Sequence, residues 1–329
     1  MKEKKTWKKN PALIILGGAG ILFTSFIGSI AAILYIMAFR RKPLSFARKV
    51  LNGADKEPTE QEKKHNALSE ETVEWLKTQR TSELTIRSMD GLKLYGTMIW
   101  AGGDAKKTVM CFHGFHAVPT GDFAGIMQAY VRNGINVFLA ENRAHGRSEG
   151  DLLGFSWKDR RDIIEWAELL VNILGENCEL YLHGVSMGAG AVMMASGEMD
   201  LPDQVKGIIE DCGFTSLVGE FLHVFPVTAR FIRKPVIFID TIVNRILNGY
   251  WLEQANSLKQ IDKNHRPYLC IHGGNDTFVP TEYVYRIYNR IGVEKDILVV
   301  PGAEHAKSFT VDPEGYEKKI VEFVNKYPA

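Results

Sequence analysis

His183-Gly184-Val185-Ser186-Met187-Gly188 places a serine between two glycines, after an apolar run at 179–182 and before Gly188-Ala189-Gly190-Ala191. Strand, sharp turn and helix in that order form the setting in which a serine hydroxyl is lifted clear of a sheet. A Cβ at either flanking position would crowd the turn. A serine hydroxyl is a poor nucleophile at neutral pH. It needs a base within hydrogen-bond reach and a third group to orient that base. Two later loops supply them. Gly273-Gly274-Asn275-Asp276 follows one strand-like run and Pro301-Gly302-Ala303-Glu304-His305 follows the next, so the order is Ser186, Asp276, His305. Read alone, Asp276 is also an Asx-turn or helix-cap residue before Thr281. Asp211, ending the preceding strand, is the rival acid and reads better as a loop anchor. Of the nine histidines, His183 and His272 precede glycines at strand ends and read as packed. His113 and His145 sit on loops, and His65, His223 and His265 fall in the linker or the insertion. His305 alone follows the last strand. Negative charge developing on an attacked carbonyl oxygen calls for two backbone N–H donors. Met187 and Phe115, the latter in the loop His113-Gly114-Phe115-His116, are the choices. Together these residues describe acyl transfer.

Parts of the chain must hold these residues in place. Short continuous apolar runs at 108–112, 136–140, 180–182, 205–209, 268–271 and 297–300 read as strands buried on both faces. Helical segments at 123–133, 157–174, 187–197, 281–290 and 313–326 lie between or after them. That alternation predicts a mostly parallel sheet with helices on both sides. An antiparallel hairpin turning at Asp90-Gly91 precedes it, and the domain is expected over 82–329. Residues 213–265 break the alternation with a phenylalanine-rich helical stretch. It reads as a lid insertion whose underside, including Phe221 and Phe225, contacts substrate; plain packing is the alternative.

The N-terminus is different. Five lysines lie in residues 1–10, and no charged residue occurs between Pro11 and Phe39. About 20 apolar residues span a bilayer, so 11–39 is expected to be an uncleaved transmembrane anchor, with the lipid bilayer as partner. The competing cleaved signal peptide would need a shorter apolar run. Basic flanks on both sides leave the orientation open. Residues 40–81 read as a charged linker followed by a short helix opening at Ser69. Formal net charge is +1, and no basic stripe interleaved with aromatic residues suggests nucleic acid. The four cysteines have no metal-ligand spacing and read as buried hydrophobes. The oligomeric state is open.

From Ser82 onward the chain resembles an α/β-hydrolase. The matching pieces are His113-Gly114-Phe115, Asn142-Arg143-Ala144-His145-Gly146-Arg147-Ser148, the serine turn, Asn275-Asp276 and His305. In detail it is similar to membrane-anchored bacterial hydrolases related to the prolyl oligopeptidase-like esterases, many of which have Gly where Ala144 stands. The resemblance implies an α/β-hydrolase fold and hydrolysis of an ester, thioester or amide without metal or organic cofactor. The expected function is therefore a membrane-anchored serine hydrolase acting on a carboxylic ester (or thioester) of an apolar acyl group, through an acyl-enzyme on Ser186. A peptidase, an acyltransferase and a non-catalytic binding module are the alternatives.

Overall fold

The computed structural model describes residues 11–42, 57–103, 105–225 and 230–327, with side chains described from Ser25 onward. The basic segment 1–10 and most of the proposed linker, 43–56, lie outside the described residues. Helix α1 is Pro11–Phe39 and α2 is Glu60–Leu76. A hairpin of β1 (Thr81–Arg87) and β2 (Lys93–Ile99) comes next. It is followed by β3 (Lys107–Phe112), α3 (Pro119–Asp122), α4 (Ile126–Arg132), β4 (Asn136–Glu141), α5 (Asp159–Leu174), β5 (Glu179–Val185), α6 (Met187–Ala195) and β6 (Val205–Asp211). The insertion carries α7 (Leu217–Val224), α8 (Arg230–Leu247), a 3-10 turn at Leu252–Gln254 and α9 (Ser257–Ile261). Then come β7 (Tyr268–Gly273), α10 (Glu282–Arg290), β8 (Lys295–Val300), α11 (Ser308–Val311) and α12 (Pro313–Lys326).

The strands form one sheet in the order β1-β2-β4-β3-β5-β6-β7-β8. β2 runs antiparallel to both neighbours, and every pairing from β4 to β8 is parallel. Parallel strands joined by helical crossovers are covered on both faces, and β5 shows the consequence: all seven of its residues are buried. Leu180 and Leu182 pack with Ile163, Trp166 and Leu170 of α5 and Ile287 of α10. Tyr181 and Val185 point the other way, toward Tyr130 of α4 and Tyr316, Ile320 and Phe323 of α12. Two apolar layers thus clamp the central strands and hold their carboxyl ends rigidly at one edge.

One expectation needs correction. The charged stretch before Ser69 is not linker throughout, because α2 begins at Glu60. Thr59 accepts from the Glu62 N–H while the Glu62 side chain accepts from the Thr59 N–H, a capping box that starts a helix among charged residues. α2 docks on the domain: Gln61 accepts from Glu304 N at 3.0 Å and donates to Gly302 O at 2.8 Å.

The anchor expected over 11–39 falls on α1, whose side chains are described from Ser25 onward. Among the described residues no helix is long and apolar enough to cross a membrane. The described half of α1 lies against protein. Ile27 and Ala31 are buried with Ile232 and Val236 of α8, and Tyr35 OH donates to Asn244 Oδ1 at 3.1 Å. Phe39 joins the aromatic cluster beneath the insertion. Beyond α1, Arg41 N donates to Asp151 O, and the Arg41 guanidinium bonds the carbonyls of Gly146 and Ser148.

Candidate active site

The serine turn is built from close backbone approach. Ser186 sits between β5 and α6 at φ 55° and ψ −113°, a conformation that costs a residue with a Cβ about 1–3 kcal/mol. Its neighbours must be glycine. A Cβ on Gly184 would lie 2.2 Å from Gly188 O, and one on Gly188 would lie 1.9 Å from Phe112 O. The turn is pinned by Ser186 N donating to Asp211 O at 2.8 Å and by Ser156 Oγ donating to Met187 O at 2.7 Å.

His305 and Asp276 arrive from the loops after β8 and β7. His305 Nε2 is 2.9 Å from Ser186 Oγ, and His305 Nδ1 is 2.6 Å from Asp276 Oδ2. The other carboxylate oxygen, Asp276 Oδ1, accepts from the N–H groups of Phe278 and Val279. With Asp276 holding the Nδ1 proton, Nε2 is left to accept from the serine hydroxyl. Burial works against charge on Asp276, but hydrogen bonds from His272 and His305 outweigh it and hold the carboxyl at about 2. Asp211 is placed otherwise. Its Oδ2 accepts from Tyr316 OH at 2.8 Å, and burial pushes its pKa up.

The loop after β3 passes directly beside the serine, since a Cβ on Gly114 would lie 3.2 Å from Ser186 Cβ. Met187 opens α6, and the first N–H groups of a helix have no acceptor within it. Phe115 and Met187 therefore stand on two backbones that meet at Ser186. Asp122, absent from the sequence reading, and the segment from Asn142, given there no role in the site, hold this loop. Asp122 Oδ2 accepts from Gly114 N at 2.6 Å. Asn142 donates through Nδ2 to His113 O at 2.8 Å. His145 Nε2 accepts from His116 N at 3.2 Å, so burial, which lowers its pKa, keeps that acceptor neutral. Arg143, beside it, is fixed by Asp162 at 2.6 and 2.7 Å and by Asp90 at 2.8 Å. Ala144 takes φ 59°, a left-handed conformation that glycine adopts without the steric cost a Cβ brings.

An apolar wall stands over the serine. Phe115 is 5.5 Å from Phe155 between ring centroids, and Phe155 is 5.5 Å from Phe221 of α7 and 4.7 Å from Phe39 of α1. Met187 belongs to the same cluster. Phe221 is thus near the serine turn. Phe225 is not: it packs beside Ile232, Val236, Ile27 and Ala31 in a separate cluster between α8 and α1. The contribution of Phe39 was hidden within the apolar N-terminal run. One metal-like grouping occurs among the described residues: donor atoms of Cys212, Asp276 and His305 lie within 4.8 Å of one another. Burial pushes the Cys212 thiol up, and the thiolate is the ligand form, so this trio is poorly suited to a metal.

Residues 103–217 match the family described as Serine aminopeptidase, S33. That segment includes Ser186 and the loop after β3 but neither Asp276 nor His305. The chain is similar to YqkD of Bacillus subtilis (strain 168), 26% identical over 199 residues, which is 60% of this chain and 65% of YqkD. The chain thus spans just under two thirds of that relative's length. Among solved structures it is similar to the Pyrococcus furiosus esterase Pf2001, with a TM-score of 0.62 and 21% identity over 77% of this chain and 93% of that one. It is also similar to the Pyrococcus horikoshii acylaminoacyl peptidase, with a TM-score of 0.58 and 17% identity over 78% of this chain and 43% of that one.

Proposed function

From the premise that this chain is an α/β-hydrolase, we propose that it is a serine hydrolase cleaving a carboxylic ester, or a thioester, of an apolar acyl group. The observation that carries the reading is the unbroken path from Ser186 Oγ through His305 to Asp276, with spacings of 2.9 and 2.6 Å. Ser186 attacks the acyl carbonyl while His305 takes its proton at Nε2. The N–H groups of Phe115 and Met187 bind the oxyanion. His305 then delivers the proton to the leaving alkoxide or thiolate, giving the acyl-enzyme on Ser186. Water, deprotonated by His305, attacks that acyl-enzyme and releases the acid. Asp276, ionised throughout, orients the ring and stabilises its positive form. The wall of Phe115, Phe155, Met187 and Phe221 supports an apolar acyl group, which ranks an ester above a peptide.

A fluorophosphonate probe tests the reading. Labelling is expected on wild-type protein, mapped to Ser186, and lost in Ser186→Ala and His305→Ala. Each of those variants loses on the order of 10⁴-fold in kcat, and the double variant is little worse than either. Asp276→Asn loses heavily while Asp211→Asn retains turnover. Folded wild-type protein that neither labels nor turns over any p-nitrophenyl ester overturns the proposal. Faster turnover of aminoacyl p-nitroanilides than of esters replaces esterase with peptidase.

A further inference from the structure

Helix α8 buries Ile232, Val236 and Ile237 in its first half but turns polar side chains inward in its second. Its inward face carries Asp240, Thr241 and Asn244, all buried. Asn244 accepts from Tyr35 OH and donates to Tyr250 O, and Thr241 Oγ1 donates to Glu253 at 2.8 Å. The outward face runs through Phe231, Pro235, Phe238, Ile242 and Ile246, residues three, four or multiples of about four apart, which form one stripe of a helix. Phe231 is 78% exposed, Phe238 64%, Ile246 75% and the adjacent Leu247 60%. A soluble surface helix turns its apolar stripe inward and its polar face outward. Here tertiary packing buries Asp240, Thr241 and Asn244 together with Ile232, Val236 and Ile237, and still leaves Phe231, Phe238, Ile242 and Ile246 outside.

We propose that this outer face of α8 is a docking surface for an anionic lipid bilayer, with the helix lying in the interface. Three features select lipid. The charged side chains flanking the stripe are cations: Arg230 and Lys234 at one end and Arg245 at the other. The helix's one carboxylate, Asp240, is turned inward. Trp251, 44% exposed, follows the helix with Arg245 5.9 Å from its ring. Cations reaching headgroups, phenylalanines in the acyl boundary and a tryptophan at the interface are the pattern of an in-plane amphipathic helix. The third feature is α1. It runs in the same direction as α8, with Ile27 and Ala31 beside Ile232 and Val236 and Tyr35 beside Asn244. It has no charged residue from Pro11 to Phe39 and exposes Phe26 and Ile33. The helix packed beside α8 therefore exposes large apolar side chains of its own.

The test reads α8 itself, so that attachment through α1 cannot answer for it. The four native cysteines are buried, so Phe238→Cys, Ile246→Cys and Met199→Cys in the full chain each offer one reactive thiol for the environment-sensitive fluorophore NBD. Met199, 99% exposed, is the control. Unchanged circular dichroism and melting temperature establish that each labelled protein is folded. On phosphatidylcholine–phosphatidylglycerol vesicles, labels at 238 and 246 are expected to brighten severalfold, shift to the blue and be quenched by lipids carrying a nitroxide high on the acyl chain. The label at 199 does none of these. Phosphatidylcholine vesicles give a weaker change. Labels at 238 and 246 that behave like the label at 199, on vesicles that carry the protein, overturn the proposal. Brightening that follows protein concentration without lipid also overturns it and assigns the face to a second copy of the chain.

Discussion

Replacing Gly188 by alanine tests whether the serine turn depends on close backbone approach. The new Cβ would stand 1.9 Å from Phe112 O, 2.6 Å from Phe112 C and 2.9 Å from His113 O. Carbon needs about 3 Å or more from such atoms, so roughly 1 Å of movement is required. All three neighbours are backbone, and no side-chain rotation relieves the contact. α6 must lift from β5, or the end of β3 must retreat. Overpacking of this kind costs about 1–3 kcal/mol, occasionally more. With two rigid elements involved, about 3 kcal/mol is the expectation. For a domain of about 250 residues that lowers Tm by roughly 6–12 °C. The moved strand end also carries Phe115, a proposed oxyanion donor. A misplacement of about 1 Å costs on the order of 10²-fold in rate. Gly121→Ala is the control, because its Cβ would meet nothing nearer than Val118 Cγ2 at 3.5 Å. Thermal unfolding and kcat/KM on a p-nitrophenyl ester are measured on both. A Gly188→Ala protein within about 2 °C and twofold of wild type would refute the reasoning, since the turn would then have slack that the contact distances deny.

Burial and the charge of Asp276 raise Glu220 of α7 to about 8, and neither of its carboxylate oxygens has a hydrogen-bond partner among the described residues. The folded protein keeps a proton there that the unfolded chain releases near pH 4.5, so the stability Glu220 contributes below that pH is lost as pH rises toward 8. Glu220→Gln should match wild type at pH 4 and exceed it by on the order of 3 kcal/mol at pH 8; a melting-temperature difference that is flat with pH contradicts the assignment. Phe221→Ala should shift the ester chain-length optimum, because each acyl methylene buried against the wall contributes about 0.8 kcal/mol, whereas Phe225→Ala should loosen α8 from α1 and leave chain-length preference alone; kcat/KM across acetyl to decanoyl esters separates them. Removing residues 1–42 strips Tyr35 and Phe39 from their packing and should lower Tm and medium-chain ester turnover together, while removing residues 1–24 should do neither; equal behaviour of the two truncations would mean that α1 is only a tether.

What the sequence determined by itself is local or topological. Gly184 and Gly188 announce the serine turn because sterics within a few residues demand them. Six continuous apolar runs mark the buried strands because both faces of a parallel sheet are covered. Asp276 and His305 follow from chain order, since loops after successive parallel strands emerge at one edge. The capping box at Thr59 and Glu62 went unread, because the surrounding charge made the segment read as linker. Tertiary structure decided what depends on partners distant in the chain. Asp211 and Asp276 both stand at the carboxyl edge of the sheet, and only packing turns the first toward Tyr316 and the second toward His305. Composition made Pro11–Phe39 a candidate to cross a bilayer; that Ile27, Ala31, Tyr35 and Phe39 find complementary surfaces on α8 and the aromatic wall, 190 or more residues away for the contacts with α8, is visible only in the fold. The periodicity of α8 establishes that it has two faces. Which one meets the domain is settled by Tyr35, Tyr250 and Glu253, whose hydrogen bonds draw the polar side inward and leave the phenylalanines outside.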